Sequence, residues 1–229
     1  MTRSLAMAML LGLPAAALVP RTTAAQEAPV LAVLPFDNDG SYGRGPDEFA
    51  ALQVGIPAAL ASELARTTGG HVVDRTTTLA ALAQLNPAHG RVDAASAARL
   101  AGDLKARYIV LGSFKDFYGR VRLNARLVDA QSGEIVAVVT NSDPKLQERA
   151  ALYRIIQRVA AEIAERLKLP ASGAAPGPDV PTDALTLYSR GTLALDKGDK
   201  AHAAQFFRQA LAAAPAFTDA REGLRRAGG

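Results

Sequence analysis

Asp37, Asp39, Ser41 and Glu48 stand at positions 1, 3, 5 and 12 of a calcium-loop count, and oxygen donors at that spacing suit a hard divalent cation. Two features oppose a metal there. Position 6 is Tyr42 where the sharp turn needs glycine, and an apolar run of strand length, residues 30–36, precedes the loop instead of a helix. A polar loop leaving a buried strand is the simpler expectation, with calcium as an alternative. Gly40, Gly43 and Gly45 lie between that strand and a helix, as phosphate-binding glycines do. They lack the Gly-Lys-Ser/Thr ending and the Gly-x-Gly-x-x-Gly spacing that would grip a phosphate. His71, His89 and His202 have no carboxylate or second histidine at metal spacing. Ser62 and Ser113 lack the flanking glycines of a nucleophile elbow. The expectation is a non-enzymatic protein with no catalytic residue, no metal and no cofactor.

One pattern suits contact instead of chemistry. In residues 120–129, Val121, Leu123, Ala125 and Leu127 alternate with Arg120, Arg122, Asn124 and Arg126. A strand sends alternate side chains to opposite faces, so the three arginines share one. That face is either the solvated side of an antiparallel sheet or a dock for an acidic partner.

The elements that must carry these residues are legible from periodicity. Residues 30–36 read as a strand covered on both faces. Phe49, Leu52, Ile56, Leu60 and Leu64 recur at helical spacing over residues 47–67, and Pro57 predicts a kink or restart there. A short strand at 71–74 and a helix at 76–85 follow. Asp93 is placed to cap another helix running to 106. Residues 107–115, 120–129 and 134–141 form three strands joined by hairpin-length links, hence an antiparallel meander. Residues 146–169 make a long amphipathic helix. The fold class is α/β (α+β): a mixed sheet with a three-strand meander and flanking helices, plus a small all-α hairpin.

The chain has 229 residues, 49% of them apolar and 5% aromatic, with no cysteine and no tryptophan. The core must therefore be aliphatic, and disulfides, thiolate metal sites and lipidated cysteine are absent from this sequence. Residues 1–25 read as a signal peptide, with Arg3, an apolar stretch and a small-residue cleavage site. Their loss lowers the formal net charge from +4 to +2, a poor basis for nucleic-acid binding. Periplasmic export follows, with no transmembrane segment in the mature chain and any outer-membrane association made through a partner. The remaining divisions are an α/β domain at 27–169, a flexible Pro/Gly/Ala linker at 170–182 and a helical module at 183–227.

In the last module Gly191, Gly198, Ala203, Phe207, Ala210 and Pro215 fall at spacings that resemble one tetratricopeptide repeat. Leu187, Arg190 and Ala194 depart from the usual Trp, Leu and Tyr. A single repeat buries too little surface to stand alone, so it must pack on the first domain, on a second copy or on a partner. Upstream, VLAVLPFDN, GIPAALASELART with HVVDR, and ARYIVLGSFKDFYGRVRLNARLVDAQSGEIV together resemble the bacterial envelope family of CsgG, FlgO and the TolB amino-terminal domain. That resemblance implies a periplasmic domain working through protein contacts, with an envelope or outer-membrane protein as partner. The residues expected to carry it are Arg120, Arg122, Arg126, Leu187, Arg190 and Phe207. Alternatives are a ring-forming homo-oligomeric accessory of a secretion channel, and a periplasmic domain that binds a ligand or calcium.

Overall fold

The computed structural model describes residues 29–68, 71–85, 92–141, 147–169, 171–175 and 177–229. The signal-peptide reading of residues 1–25 and His89 lie outside them. Among the described residues there are six strands and seven helices in the order β1 (Leu31–Val33), β2 (Asp37–Asn38), α1 (Pro46–Thr68), α2 (Arg75–Leu85), α3 (Ala94–Asp103), β3 (Tyr108–Phe117), β4 (Arg120–Asp129), β5 (Ile135–Thr140), β6 (Gln147–Glu148), α4 (Leu152–Arg166), α5 (Thr182–Asp196), α6 (Lys200–Ala213) and α7 (Thr218–Arg226). The fold is mixed α/β around one mixed sheet ordered β1-β3-β4-β5. β1 and β2 run parallel to β3, while β3, β4 and β5 form the expected antiparallel meander.

The two faces of this sheet meet different partners. Leu31, Val33, Val110, Phe114, Leu123 and Leu127 join α1 and α4 in the larger apolar core. Ala32, Leu34, Ile109, Leu111 and Val128 face the other way, onto Ala97, Leu100 and Ala101 of α3. The continuous apolar run of β1 thus serves two cores at once, as a strand covered on both faces must. The second cover reaches only the Val128 end of β4. Beyond it Arg120, Arg122 and Arg126 stand exposed.

Several local expectations are corrected. Pro57 does not restart the helix, since α1 runs unbroken from Pro46 to Thr68. A proline there leaves the Gln53 carbonyl without its helical donor. The Phe36 amide fills the vacancy, donating to Gln53 O at 3.0 Å. The strand expected at 71–74 is reduced to one parallel bridge between Val72 and Leu31. The helix expected from 146 begins later: Gln147–Glu148 pair with β4, a 3-10 turn covers Arg149–Ala151, and α4 starts at Leu152. Asp93 does cap α3, its carboxylate accepting from Ser96 N at 2.7 Å, a bond type worth about 1 kcal/mol.

The carboxy-terminal helices pack on their own chain. Ala184, Leu185, Tyr188, Phe207 and Phe217 share the core of Leu60, Tyr153 and Val159. Gly55 and Gly191 permit the close approaches: a Cβ on Gly55 would fall 1.8 Å from Ser189 Oγ, and one on Gly191 would fall 2.7 Å from the Phe207 ring. The Pro/Gly/Ala-rich segment before α5 is held to the surface it crosses. Ser172 N donates to Thr67 O at 2.9 Å, Gln157 Nε2 donates to Gly177 O at 3.2 Å, and Val180 is buried.

Candidate partner-docking surface

β3 and β4 turn over through Tyr118-Gly119, between the directly paired Phe117 and Arg120. Both loop residues have positive φ, 52° for Tyr118 and 88° for Gly119, the mark of a type I′ hairpin. Gly119 suits that geometry. Tyr118 does not, and a side chain in the left-handed region costs about 1 kcal/mol. The expense holds an aromatic ring at the extreme tip of the sheet, where Tyr118 is 72% exposed.

Two further rings meet it. Tyr42, 55% exposed, and Phe117, 47% exposed, lie edge to face at 6.0 Å, and Phe117 and Tyr118 do so at 5.1 Å. Tyr42 is brought there by the loop after β2, whose backbone forms a bridge with Phe117. Tyr42 N donates to Asp116 O at 2.7 Å, and Tyr118 N donates to Tyr42 O at 3.3 Å. Gly43 closes the approach. With φ 91° it passes so near Tyr118 that a Cβ would meet the tyrosine Cα at 3.1 Å.

Beneath the rings lies a buried ionic cluster. Arg149 Nη1 donates to Asp116 Oδ2 at 2.6 Å and Nη2 donates to Glu48. All three residues are buried. Asp116 Oδ1 accepts from Gly119 N at 2.8 Å, and Arg149 N donates to Gly119 O at 2.7 Å. The cluster therefore pins the hairpin turn from below. Its desolvation offsets most of its attraction, so its clearest effect is geometric. Glu48, the twelfth position of the calcium count, is spent on Arg149 and on Arg44 at 3.6 Å. Asn38 Oδ1 accepts from Ser41 N, and Ser41 Oγ accepts from Asp116 N. These loop oxygens serve the turn, and among the described residues no three acidic or histidine groups converge as a metal site.

The rim is cationic. Lys115 pairs with Arg122 across β3 and β4, on the same uncovered sheet face as Phe117 and Arg120. Arg120 meets Glu148 at 3.1 Å. Arg122 and Arg126 make no ion pair among the described residues. A face of exposed rings bordered by arginines has the composition of a protein contact surface, in which aromatics and Arg are enriched.

No family model matches the chain, and no curated protein matches it. Solved structures do. LpoB of E. coli is 22% identical, with 50% of this chain and 56% of that chain covered and a TM-score of 0.40. TolB of Acinetobacter baumannii is 17% identical, with 69% of this chain and 30% of that one covered and a TM-score of 0.41. A PelC dodecamer from Paraburkholderia phytofirmans is 18% identical, covering 62% and 89%, with a TM-score of 0.38. All three scores lie below 0.5, so the functional reading rests on this chain's own residues. The match spans 56% of the LpoB chain and 30% of the TolB chain. Among the described residues no helix is long and apolar enough to cross a membrane.

The six residues singled out in the sequence do not form one site. Arg120 and Arg122 border the aromatic tip. Arg126 shares their face but lies opposite Leu111 and Val138, roughly 13 Å along the strand from Arg122. Leu187 and Arg190 belong to α5. Leu187 is half-buried against the main core, and Arg190 lines a shallow groove with Asp47 and His202. Phe207 is corrected outright as a contact residue: it is 1% exposed, wedged between Gly191 and Gly223. The aromatic tip itself was missed. Tyr42 is distant in sequence from Phe117 and Tyr118, and only the bridge between β3 and the loop after β2 unites them. The available signal was Tyr118 before Gly119, a bulky residue where a two-residue hairpin wants Asn or Gly.

Proposed function

We propose that this chain is a non-enzymatic periplasmic adaptor that holds an acidic surface of an envelope or outer-membrane protein against its hairpin tip. One observation carries the reading: three of the chain's twelve aromatic residues are exposed together, on a turn whose strained backbone is pinned by a buried ion cluster. Energy spent on exposing apolar rings signals contact in preference to stability. The test places a photo-cross-linking amino acid at Tyr118 of the full chain in living cells, with a second, solvent-exposed position of α6 as control. A single envelope protein should cross-link from Tyr118 and not from α6, and Arg122→Glu should reduce that product at least fivefold. Equal cross-linking from both positions, or indifference to the charge reversal, overturns the proposal.

A second reading has its own observation. Among the described residues β5 is a free sheet edge whose Ile135, Val136 and Val138 are exposed, and an unprotected apolar edge invites pairing with another chain. Assembly of several copies through that edge would make the chain a ring-forming accessory. The mass in solution separates the two readings.

A further inference from the structure

A cleft of about 760 Å³ opens where α1, α2 and the carboxy-terminal helices meet. That size is within the roughly 300–1,000 Å³ of small-molecule sites. Its walls are mostly apolar and small, with Ala61 and Ala65 from α1, Leu79 from α2 and Leu195 from α5. The acidic groups in the lining are Asp74, Asp196, Asp219 and Glu222, against only Arg75 and Arg226. Both guanidinium groups are already committed. Arg75 grips Asp196 through two nitrogens, the shorter contact being 2.7 Å. Arg226 lies 3.3 Å from Glu222 and 3.7 Å from Asp74. Asp219 is left over. Its Oδ2 is buried and has no hydrogen-bond partner among the described residues.

We propose that this cleft binds an apolar molecule bearing a protonated amine, whose charge is balanced by Asp219. The chemistry follows from the lining: alanine and leucine walls accept a hydrocarbon or aryl body, and the one lining carboxyl without an ion pair among the described residues selects a cation over an anion. A buried carboxyl oxygen lacking a partner is costly, so a cation that satisfies Oδ2 gains what the free protein lacks. The site differs from the hairpin tip in elements and in charge, and neither reading depends on the other.

The charge state of Asp219 makes binding depend on pH. Desolvation first, then the Glu63 carboxylate, push its pKa up to about 7, against the Ser62 and Thr218 hydroxyls and the Arg66 guanidinium. Facing it from α1 are Glu63 and Arg66, from α4 Tyr153 and from α5 Tyr188. Both tyrosines are shifted upward by burial and stay neutral. Below neutrality the amine must displace a proton from Asp219. Above it the carboxylate is ready.

Calorimetric titration of the full chain with 4-phenylbutylamine, and with 4-phenylbutyrate as its anionic counterpart, decides the matter. The amine should bind at least tenfold more tightly than the acid at pH 7.5, and its affinity should fall on lowering the pH to 5.5. Asp219→Asn should weaken the amine at least fivefold and remove that pH dependence. Ala80→Trp, at an exposed position of the rim, should weaken amine and acid alike without touching the core. Absence of amine binding at millimolar concentration, equal affinity for the acid, or an amine affinity untouched by both variants overturns the proposal.

Discussion

Tyr118 holds a backbone conformation that asparagine would hold at lower cost. Its φ of 52° is that of the first loop residue of a type I′ turn, where Asn-Gly is the favoured pair. Tyr118→Asn should raise the unfolding free energy by about 0.5–1 kcal/mol, read from the urea midpoint. The same change should diminish capture of the partner, because it deletes the most exposed ring. A variant that loses stability, or gains it with capture intact, would show the ring to be no sacrifice for contact. This residue also marks where sequence reading stops. The alternation of Arg120, Arg122 and Arg126 was legible because a strand's period is two. The grouping of Tyr42, Phe117 and Tyr118 was not, because it arises from β3 pairing with a distant loop. Phe207 misled for a related reason: its spacing fits a helical hairpin, and spacing does not say which face a neighbouring element covers.

At the scale of elements, α1 organises the molecule. One side packs on the sheet and α4, and another receives α5. Much of this was readable: the meander and the cap at Asp93 follow from local chemistry. Pro57 was not, since its tolerance depends on the Phe36 amide, which reaches Gln53 O from another segment. Likewise β6 exists because Gln147–Glu148 must pass along β4 before Arg149 can turn inward. α1 and α5 come close together at Gly55, where an added Cβ would lie 2.3 Å from Ser189 Cβ and 2.7 Å from its Cα. A flexible side chain cannot absorb that overlap, so the helices must separate. Gly55→Ala should therefore cost about 1–3 kcal/mol, despite alanine's better helix propensity. Adding Ser189→Gly should recover part of the loss, and the coupling between the two sites is read from a double-mutant cycle of unfolding energies. A neutral or stabilising Gly55→Ala would mean that α5 is not seated on α1 as described.

For the whole molecule, the decisive junction lies among α1, α4, α5 and α7. Tyr153 OH donates to Glu63 Oε1 at 2.9 Å. The Tyr153 and Tyr188 rings lie 5.5 and 5.0 Å from that of Phe217. This aromatic contact joins the carboxy-terminal helices to the α/β layers in one core, so heat or urea should unfold both together. Asp219 sits at the same junction with its pKa raised from 3.8 to about 7. In the unfolded chain its proton leaves near pH 4, whereas the folded chain keeps it until about pH 7. Between those values the native state binds more protons, so this group's contribution to the unfolding free energy declines as pH rises and levels off above about 7. Asp74, Asp93 and Asp199 act in the opposite sense. Their hydrogen bonds to helix-start amides favour the charged form and lower their pKa values, adding stability as pH climbs through the acid range. Comparing variants isolates the one group: Asp219→Asn should be close to the parent chain or below it at pH 4, gain on it up to about pH 7 and hold that gain at about pH 8. A stability difference that stays constant across that range would mean that Asp219 is ionised in the folded protein throughout, with the Ser62 and Thr218 hydroxyls and the Arg66 guanidinium sufficient to hold its charge.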